Sequence, residues 1–511
     1  MQRYNSSGNH NDYVTDMAID KSGNVYLTGY VQVNDTDQNF ITIKYNTQGI
    51  EQWVRYYDGP DHREDKAGSI AVDDSGNVIV TGYSYSYSEF DDILTIKYNS
   101  NGDSLWTKKF TGIGHVSDRP NAMTLDKFGN IYITGSGIGV SSVDIITLAY
   151  DKMGIMQWAR YYNSISNVYD VGYDIIINKF NIVYVSGGSF GIGGVILRYD
   201  LDGNEFPVIE SSVFFGYKIL LDMELNILLG FETYGGLSTR YDIATAKIDS
   251  VGKLNWIRSY HNNSTNNNDY FKDMCLDIFG NVTVTGISGN SGELAWDIAT
   301  IKYNTNGDTL WINRYNPAHN SNDEPSSISS DKYGNSYVTG SSDSGFFGKM
   351  ITIKYSPTGV REWIAYYNNG NPFTYHSGSK IFADTSGSLY VTGRSQNNQG
   401  NIDIATIKYS VLTNISFGST SIPNQYVLYQ NYPNPFNPRT TIKYELPAES
   451  YISLKIYNTL GVEIKTLVNE KQNSGKFESV FDGSEFSSGV YFYSLFIDNY
   501  KLDTKKLILL K

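Results

Sequence analysis

The sequence predicts an all-β protein: an eight-bladed β-propeller of four-stranded blades, followed by a small Ig-like β-sandwich. Three observations lead there. A ten-residue phrase returns at a near-constant interval along four-fifths of the chain. Between its copies lie short alternating Val/Ile/Thr/Tyr runs, with no sustained helical periodicity. Beyond them the composition shifts to a Pro-rich segment and a fresh set of alternating strands.

The phrase reads "DKSGNVYLTG" at 20–29, "DDSGNVIVTG" at 73–82 and "DKFGNIYITG" at 126–135, with further copies at 277–286, 331–340 and 384–393. One active site needs one set of residues, so many copies point to architecture. The glycine of the T-G pair falls at Gly29, Gly82, Gly135, Gly187, Gly230, Gly286, Gly340 and Gly393. A second landmark, "TIKYN", recurs around Tyr45, Tyr98, Tyr150, Tyr199, Tyr303, Tyr355 and Tyr409. Eight residues after most of these stands a Trp: Trp53, Trp106, Trp158, Trp311 and Trp363, with Trp256 eight after Ile248 and Phe206 expected as the substitute in the fourth unit. Each unit therefore holds strands A to D. The D-x-x-G-N turn joins A to B, a long loop joins B to C, and "YNxxGxxxW" turns C into D. Four strands in about 50 residues is the period of a propeller blade.

A ring must close, because an open array leaves two bare strand edges. "MQRYN" at 1–5 is similar to the D strands "WVRYY" and "WINRYN", whereas the eighth unit ends at "DIATIKYS", 403–410, without a D strand. Gln2–Tyr4 is thus expected to complete the last blade, with Met1 where a D strand carries its Trp. The rival is closure by Phe417, eight residues after Tyr409. The expected domains are 1–412 (propeller), 413–425 (Ser/Thr-rich linker) and 426–511 (sandwich).

The D-x-x-G-N-V-Y-V-T-G phrase resembles the bacterial propeller repeats known as SBBP repeats, over about 410 residues. That resemblance implies an extracellular or surface propeller without implying one activity. The fourth and fifth units depart most, since "NKFNIVYVSG" and "DMELNILLG" lose the Asp or the Gly of the turn. In the tail, "NYPNPFNP", "YNTLGVEIKTL", "SSGVYFYSL" and "KKLILLK" resemble the C-terminal sorting domain of the type IX secretion system. This implies that 426–511 is an export address read by the type IX (Por) machinery, and that the protein is secreted or displayed on the outer membrane. "MQRYNSSGNHND" has neither a positive n-region nor an apolar h-region. The expectation is a precursor that extends upstream.

Forty basic against fifty-three acidic side chains give a net charge of −13. That argues against nucleic acid or an anionic membrane as partner, and no run approaches a membrane span. A monomer is expected. The single Cys275 excludes an internal disulfide and lies in the apolar run "DMCLDI", where it reads as a small core residue.

Seventeen residues before the T-G glycines stand Asp12, Asp65, Asp118, Asp170, Asp269, Asp323 and His376, with Val213 or Phe214 in the fifth unit. They mark where each D–A loop enters the innermost strand, and they are the candidate ligand-binding ring at one mouth of the channel. A ring of that radius is too wide for one shared ion, whose oxygen ligands must lie at roughly 2.3–2.6 Å. No cofactor is therefore expected, Ca²⁺ is the one cation weighed, and the bland reading has each Asp fixing its own loop. His10, His62, His115, His261, His319 and His376 all fall in D–A loops, at offsets too different for a common coordination geometry. No nucleophile elbow, H-E-x-x-H or phosphate loop occurs, so no catalytic residue is assigned. The leading expectation is a binding or scaffold propeller presenting the D–A loops (58–66, 111–119, 260–269, 316–323, 367–377) and the B–C loops. "YSYSYSEFDD" at 83–92 is the foremost contact for glycan or protein. The alternative is a glycan-active hydrolase or lyase with its site at the channel mouth.

Overall fold

A computed structural model describes the chain except positions 7, 9, 114–116, 140–141, 166–167, 190–192, 213–215, 235–240, 263–267, 290–294, 318–321, 344–346, 372, 385–386, 410–425, 448, 474 and 499. Two compact units are present, Met1–Ser410 and Val411–Lys511. Among the described residues every regular element is a strand.

The first unit holds eight antiparallel four-stranded sheets. Blade 1 is typical, with strands A to D at Asp12–Ile19, Val25–Gln32, Gln38–Tyr45 and Glu51–Tyr57. Each A strand pairs only with its own B strand and packs against the A strands of both neighbours, blade 1 against blade 8 included. The ring is closed, with the A strands innermost.

Closure is made by Gln2–Tyr4, which pairs antiparallel with Ile402–Tyr409 of blade 8: Gln2 opposite Thr406, Arg3 opposite Ala405, Tyr4 opposite Ile404. The register repeats that of the intact blades, where Arg314 lies opposite Ala299 and Lys109 opposite Leu94. Each of these cations holds the carboxylate that opens its C strand: Arg3 with Asp403 at 2.6 Å, Arg314 with Asp297 at 2.8 Å, Lys109 with Asp92 at 2.6 Å. One expectation needs correcting. Because Gln2 faces Thr406 as Arg55 faces Thr42, Met1 takes the place of Val54, not that of Trp53. The competing Phe417 lies outside the described residues.

Neighbouring blades are clasped by a repeated contact. The Trp of strand D lies over the C–D turn glycine of the next blade, where a Cβ on Gly102, Gly203 or Gly307 would come within 2.8 Å of the ring. Its Nε1 donates to a carbonyl of that turn: Trp53 to Ser100 at 3.1 Å, Trp158 to Leu201 at 2.9 Å, Trp256 to Thr305 at 3.1 Å, Trp311 to Pro357 at 3.1 Å. Two residues on, Arg55, Arg160 and Arg258 donate to the glycine's own carbonyl, and Asn313 does so in blade 6. The indole also sits between tyrosines of both blades, as Tyr26–Trp53–Tyr98 and Tyr132–Trp158–Tyr199. In blade 4 the expected stand-in, Phe206, is over a third exposed, and Ile209 covers Gly252 in its place. The short D strand there, Ile209–Ser211, brings a residue three positions later onto the turn.

The A–B turns are organised by their first residue. Asp20 accepts the N–H groups of Ser22 and Asn24, the Asn24 amide and the Tyr26 hydroxyl, while Gly23 supplies a φ of 84°. In blades 2, 5 and 6 the C-strand Lys of the same blade adds a buried ion pair: Lys97–Asp73 at 3.0 Å, Lys247–Asp222 at 2.8 Å, Lys302–Asp277 at 2.8 Å. The divergent turns survive. Asn178 replaces the Asp in blade 4, and Asn181 and Leu225 adopt the glycine conformation at φ of 62° and 65°.

The second unit contains a three-stranded sheet (Val427–Leu428, Arg439–Leu446, Gly475–Asp482) and a four-stranded one (Glu463–Gln472, Ser450–Tyr457, Gly489–Ile497, Tyr500–Leu509). Phe436, Ile442, Tyr444, Leu454, Phe481, Tyr493 and Leu509 belong to one shared core. The Pro-rich segment is tied to the last strand: Phe436 N–H donates to Ile508 and Leu510 N–H donates back to Phe436, each at 2.9 Å.

Two outcomes follow for stability. Arg3→Ala removes the cation from the carboxylate of Asp403, 4 % exposed, which keeps the Asn397 amide, and should cost about 3 kcal/mol in urea unfolding; an unchanged midpoint would refute closure by the N-terminal strand. Leu225→Gly relieves a left-handed leucine and should raise stability by about 1 kcal/mol, read as a higher melting temperature.

Candidate functional site

The seven ring residues are all buried to within 1 % of complete. Each lies at the start of an A strand, where the incoming loop folds over it. Asp12, Asp65, Asp118 and Asp170 each accept the backbone N–H six residues upstream, from Ser6 (2.7 Å), Gly59 (2.5 Å), Gly112 (2.6 Å) and Ser164 (2.7 Å). Asp269 takes that of Asn262, seven upstream, at 2.9 Å, and that of Gly289 at 3.2 Å. Asp323 is equally enclosed. His376 replaces the carboxylate with two hydroxyl contacts, Nε2 to Thr374 at 2.8 Å and Nδ1 to Ser395 at 3.1 Å. The fifth-unit positions Val213 and Phe214 lie outside the described residues, as do His115 and His319.

Burial pushes the carboxyls of Asp12, Asp65 and Asp118 up to about 6, and raises Asp269 also. Burial, helped by the charge of Arg3, drives His376 down to about 4, so the imidazole is neutral at ordinary pH. These groups staple loops, and the geometry gives them no open face for substrate. No set of three ring residues converges as metal ligands among the described residues.

Polar groups at mid-channel escaped the sequence reading. Asp16, Asp174 and Asp273 project from A strands just past the bulge, thirteen residues before their T-G glycines. Each accepts a backbone N–H from the next blade: Ile70 (3.0 Å), Ile219 (3.1 Å) and Ile328 (3.1 Å). Lys218 reaches Asp174 at 3.3 Å and Lys380 reaches Asp16 at 3.4 Å. The field of Asp174, joined by those of Asp273 and Asp16, holds Lys218 above its ordinary pKa, and Asp16 does most to raise Lys380. The belt is asymmetric, with Ser69, Ala122 and Ser327 at the equivalent places. Its detectable signal is that one aligned column changes between Asp, Ser, Ala and Lys while its flanks repeat.

On the loop face, Tyr85, Tyr87 and Phe90 form an edge-to-face aromatic group, with Tyr85 to Tyr87 at 6.0 Å and Tyr85 to Phe90 at 6.3 Å. The Arg63 guanidinium lies 4.9 Å from the Tyr87 ring centre and also contacts its hydroxyl. Tyr87 is 62 % and Phe90 46 % exposed. Phe90 sits at a φ of 61°, a region that bulky residues seldom occupy.

Known proteins bear on this architecture as follows. The family described as a beta-propeller repeat matches residues 105–140 and 310–347. The family described as a secretion system C-terminal sorting domain matches 430–510. No curated protein matches the chain. Among solved structures, Sqt1 from Chaetomium thermophilum is 9 % identical with a TM-score of 0.50, covering 80 % of this chain and all of that one. The Dos1 propeller is 9 % identical with a TM-score of 0.47, covering 79 % and 93 %. An ulvan lyase, a polysaccharide lyase solved with a bound sugar, is 11 % identical with a TM-score of 0.42, covering 80 % and 98 %. At such identities the likeness concerns fold alone.

The buried carboxylates give a pH signature with a definite sign. A carboxyl raised to about 6 favours the fold most below its unfolded pKa and loses that contribution as pH rises through 6. Asp65→Asn should therefore gain stability over the parent between pH 5 and 8, by on the order of 2 kcal/mol at the upper end. Urea midpoints across that range check it, and parallel pH curves would refute it.

With the repeats, the closed ring and the tail motifs agreeing, the chain is a β-propeller that carries SBBP-type propeller repeats, and its C-terminal sorting domain indicates export through the type IX secretion machinery to the cell surface or beyond.

Proposed function

We propose that this protein is a non-enzymatic binding propeller, delivered outside the cell by its tail, which captures a glycan on the aromatic face of blade 2. The observation that carries the reading is the group Tyr85, Tyr87 and Phe90, with two of its rings open to solvent and Phe90 held out by a left-handed backbone. Exposed rings offer a flat apolar surface to the C–H face of a sugar, while a phenol and a guanidinium supply polar contacts at the edge. Strain of this kind costs of order 1–3 kcal/mol, and is more readily kept where it positions a working side chain. The hydrolase or lyase alternative needs a carboxylate with a raised pKa that substrate can reach. Of the carboxylates held above their usual range, those at the channel mouth, Asp12, Asp65, Asp118 and Asp269, are closed beneath their loops, which favours binding.

Two measurements test the proposal. On a glycan array the full chain should retain at least one polysaccharide, and Tyr87→Ala and Phe90→Ala should each weaken it ten-fold or more with the circular dichroism unchanged. Retention of a peptide instead of any sugar, or indifference to both substitutions, would overturn it. Deleting residues 430–510 should leave the protein inside a host that possesses the machinery; its continued appearance at the surface would remove the export role.

A further inference from the structure

We infer that Asp37, Asp58 and His62 form a site for a first-row divalent cation, with zinc the best fit, which pins the B–C loop of blade 1 to the loop joining blades 1 and 2. One ligand atom from each lies within 4.8 Å of the others, the one such trio among the described residues. Proximity of acids is by itself common. The second observation is Asp37: its residue is only 6 % exposed, and no donor reaches its buried Oδ1. An ionised carboxylate shut from water is costly without a partner, and no Lys or Arg pairs with Asp37 among the described residues. His62 Nδ1 already contacts Asp58 Oδ2 at 2.8 Å, and Asp61 adds a third negative charge beside the imidazole. Arg63, the nearest candidate counter-charge in sequence, is instead directed onto Tyr87.

The ligand set chooses among cations. Calcium and magnesium take oxygen shells, whereas one imidazole with two carboxylates suits zinc. A tetrahedral zinc at about 2.0–2.1 Å from each atom leaves its fourth position to water. Entry of the ion requires Nδ1 to be unprotonated and to exchange its contact with Asp58 for the metal, so one proton leaves if the imidazole begins charged. The site abuts the aromatic face, since Asp61 Oδ2 accepts the Tyr87 N–H at 2.8 Å. It stands whether or not that face binds sugar.

Calorimetric titration of the chelator-stripped full chain with zinc chloride tests the assignment. One zinc per chain is expected, with affinity reduced at least ten-fold in Asp37→Asn and in His62→Gln, and with calcium binding more weakly than zinc. No uptake, wild-type affinity in either variant, or tighter calcium would overturn it. X-ray absorption on the zinc-loaded parent chain needs no variant: a shell of one imidazole with oxygen ligands is expected, and sulfur or several imidazoles would overturn it.

Discussion

The propeller depends on one contact more than any other, the indole of a D strand laid on the C–D turn glycine of the next blade. A four-stranded sheet alone cannot hide both of its faces, and stacking around a ring solves this only if each interface finds the same register. Hydrophobic faces slide; a directed contact does not. The Trp Nε1 bond and the Arg bond to the glycine carbonyl fix rotation and height together. The glycine serves two ends, because its φ of 83° closes the turn and its missing Cβ makes room for the ring. The repeat conserves the pair within this chain for a mechanical reason, and Tyr of "TIKY" completes it by flanking the indole from the far blade.

Much of this was legible in the residues. The interval, the strand order and closure by Gln2–Tyr4 rest on patterns tied to backbone geometry, and backbone geometry repeats. What the pattern hid were the substitutions in depth. Ile209 covers its glycine in place of the expected Phe206, because the shortened D strand of blade 4 shifts which residue arrives. Met1 was misplaced by one residue for a related reason: a short match cannot set register, whereas the facing strand does. The channel belt is hidden in the sequence because a bulge in the A strand changes the side-chain alternation there, so that the column holding Asp16, Asp273 and Lys380 turns toward the axis.

The ring carboxylates and the channel carboxylates divide one task. The first fix each loop to its own blade, accepting the N–H of a residue that precedes the strand. The second fix one blade to the next, accepting the N–H of its innermost strand. Both use a charge where a neutral amide would serve, and both incur the desolvation that goes with it. Channel lysines offset that cost for Asp16 and Asp174. For the loop staples Asp12, Asp65, Asp118 and Asp269, burial is the largest influence and holds the carboxyls above their usual range.

This arrangement leaves the loop face free to vary. Once the turns, clasps and staples are satisfied within the repeat, residues between strands B and C carry no obligation to the ring. Their lengths and compositions differ from blade to blade, while the turn-and-strand phrase ending in T-G and the "TIKY" landmark recur in most units. An exposed Phe90 in a left-handed conformation and a buried, unpaired Asp37 are both found there, and neither contributes to ring closure. Local cost without a structural return is the mark of a place under another demand. Those two residues are where the proposed glycan face and the proposed cation site lie, on a chain whose tail indicates export.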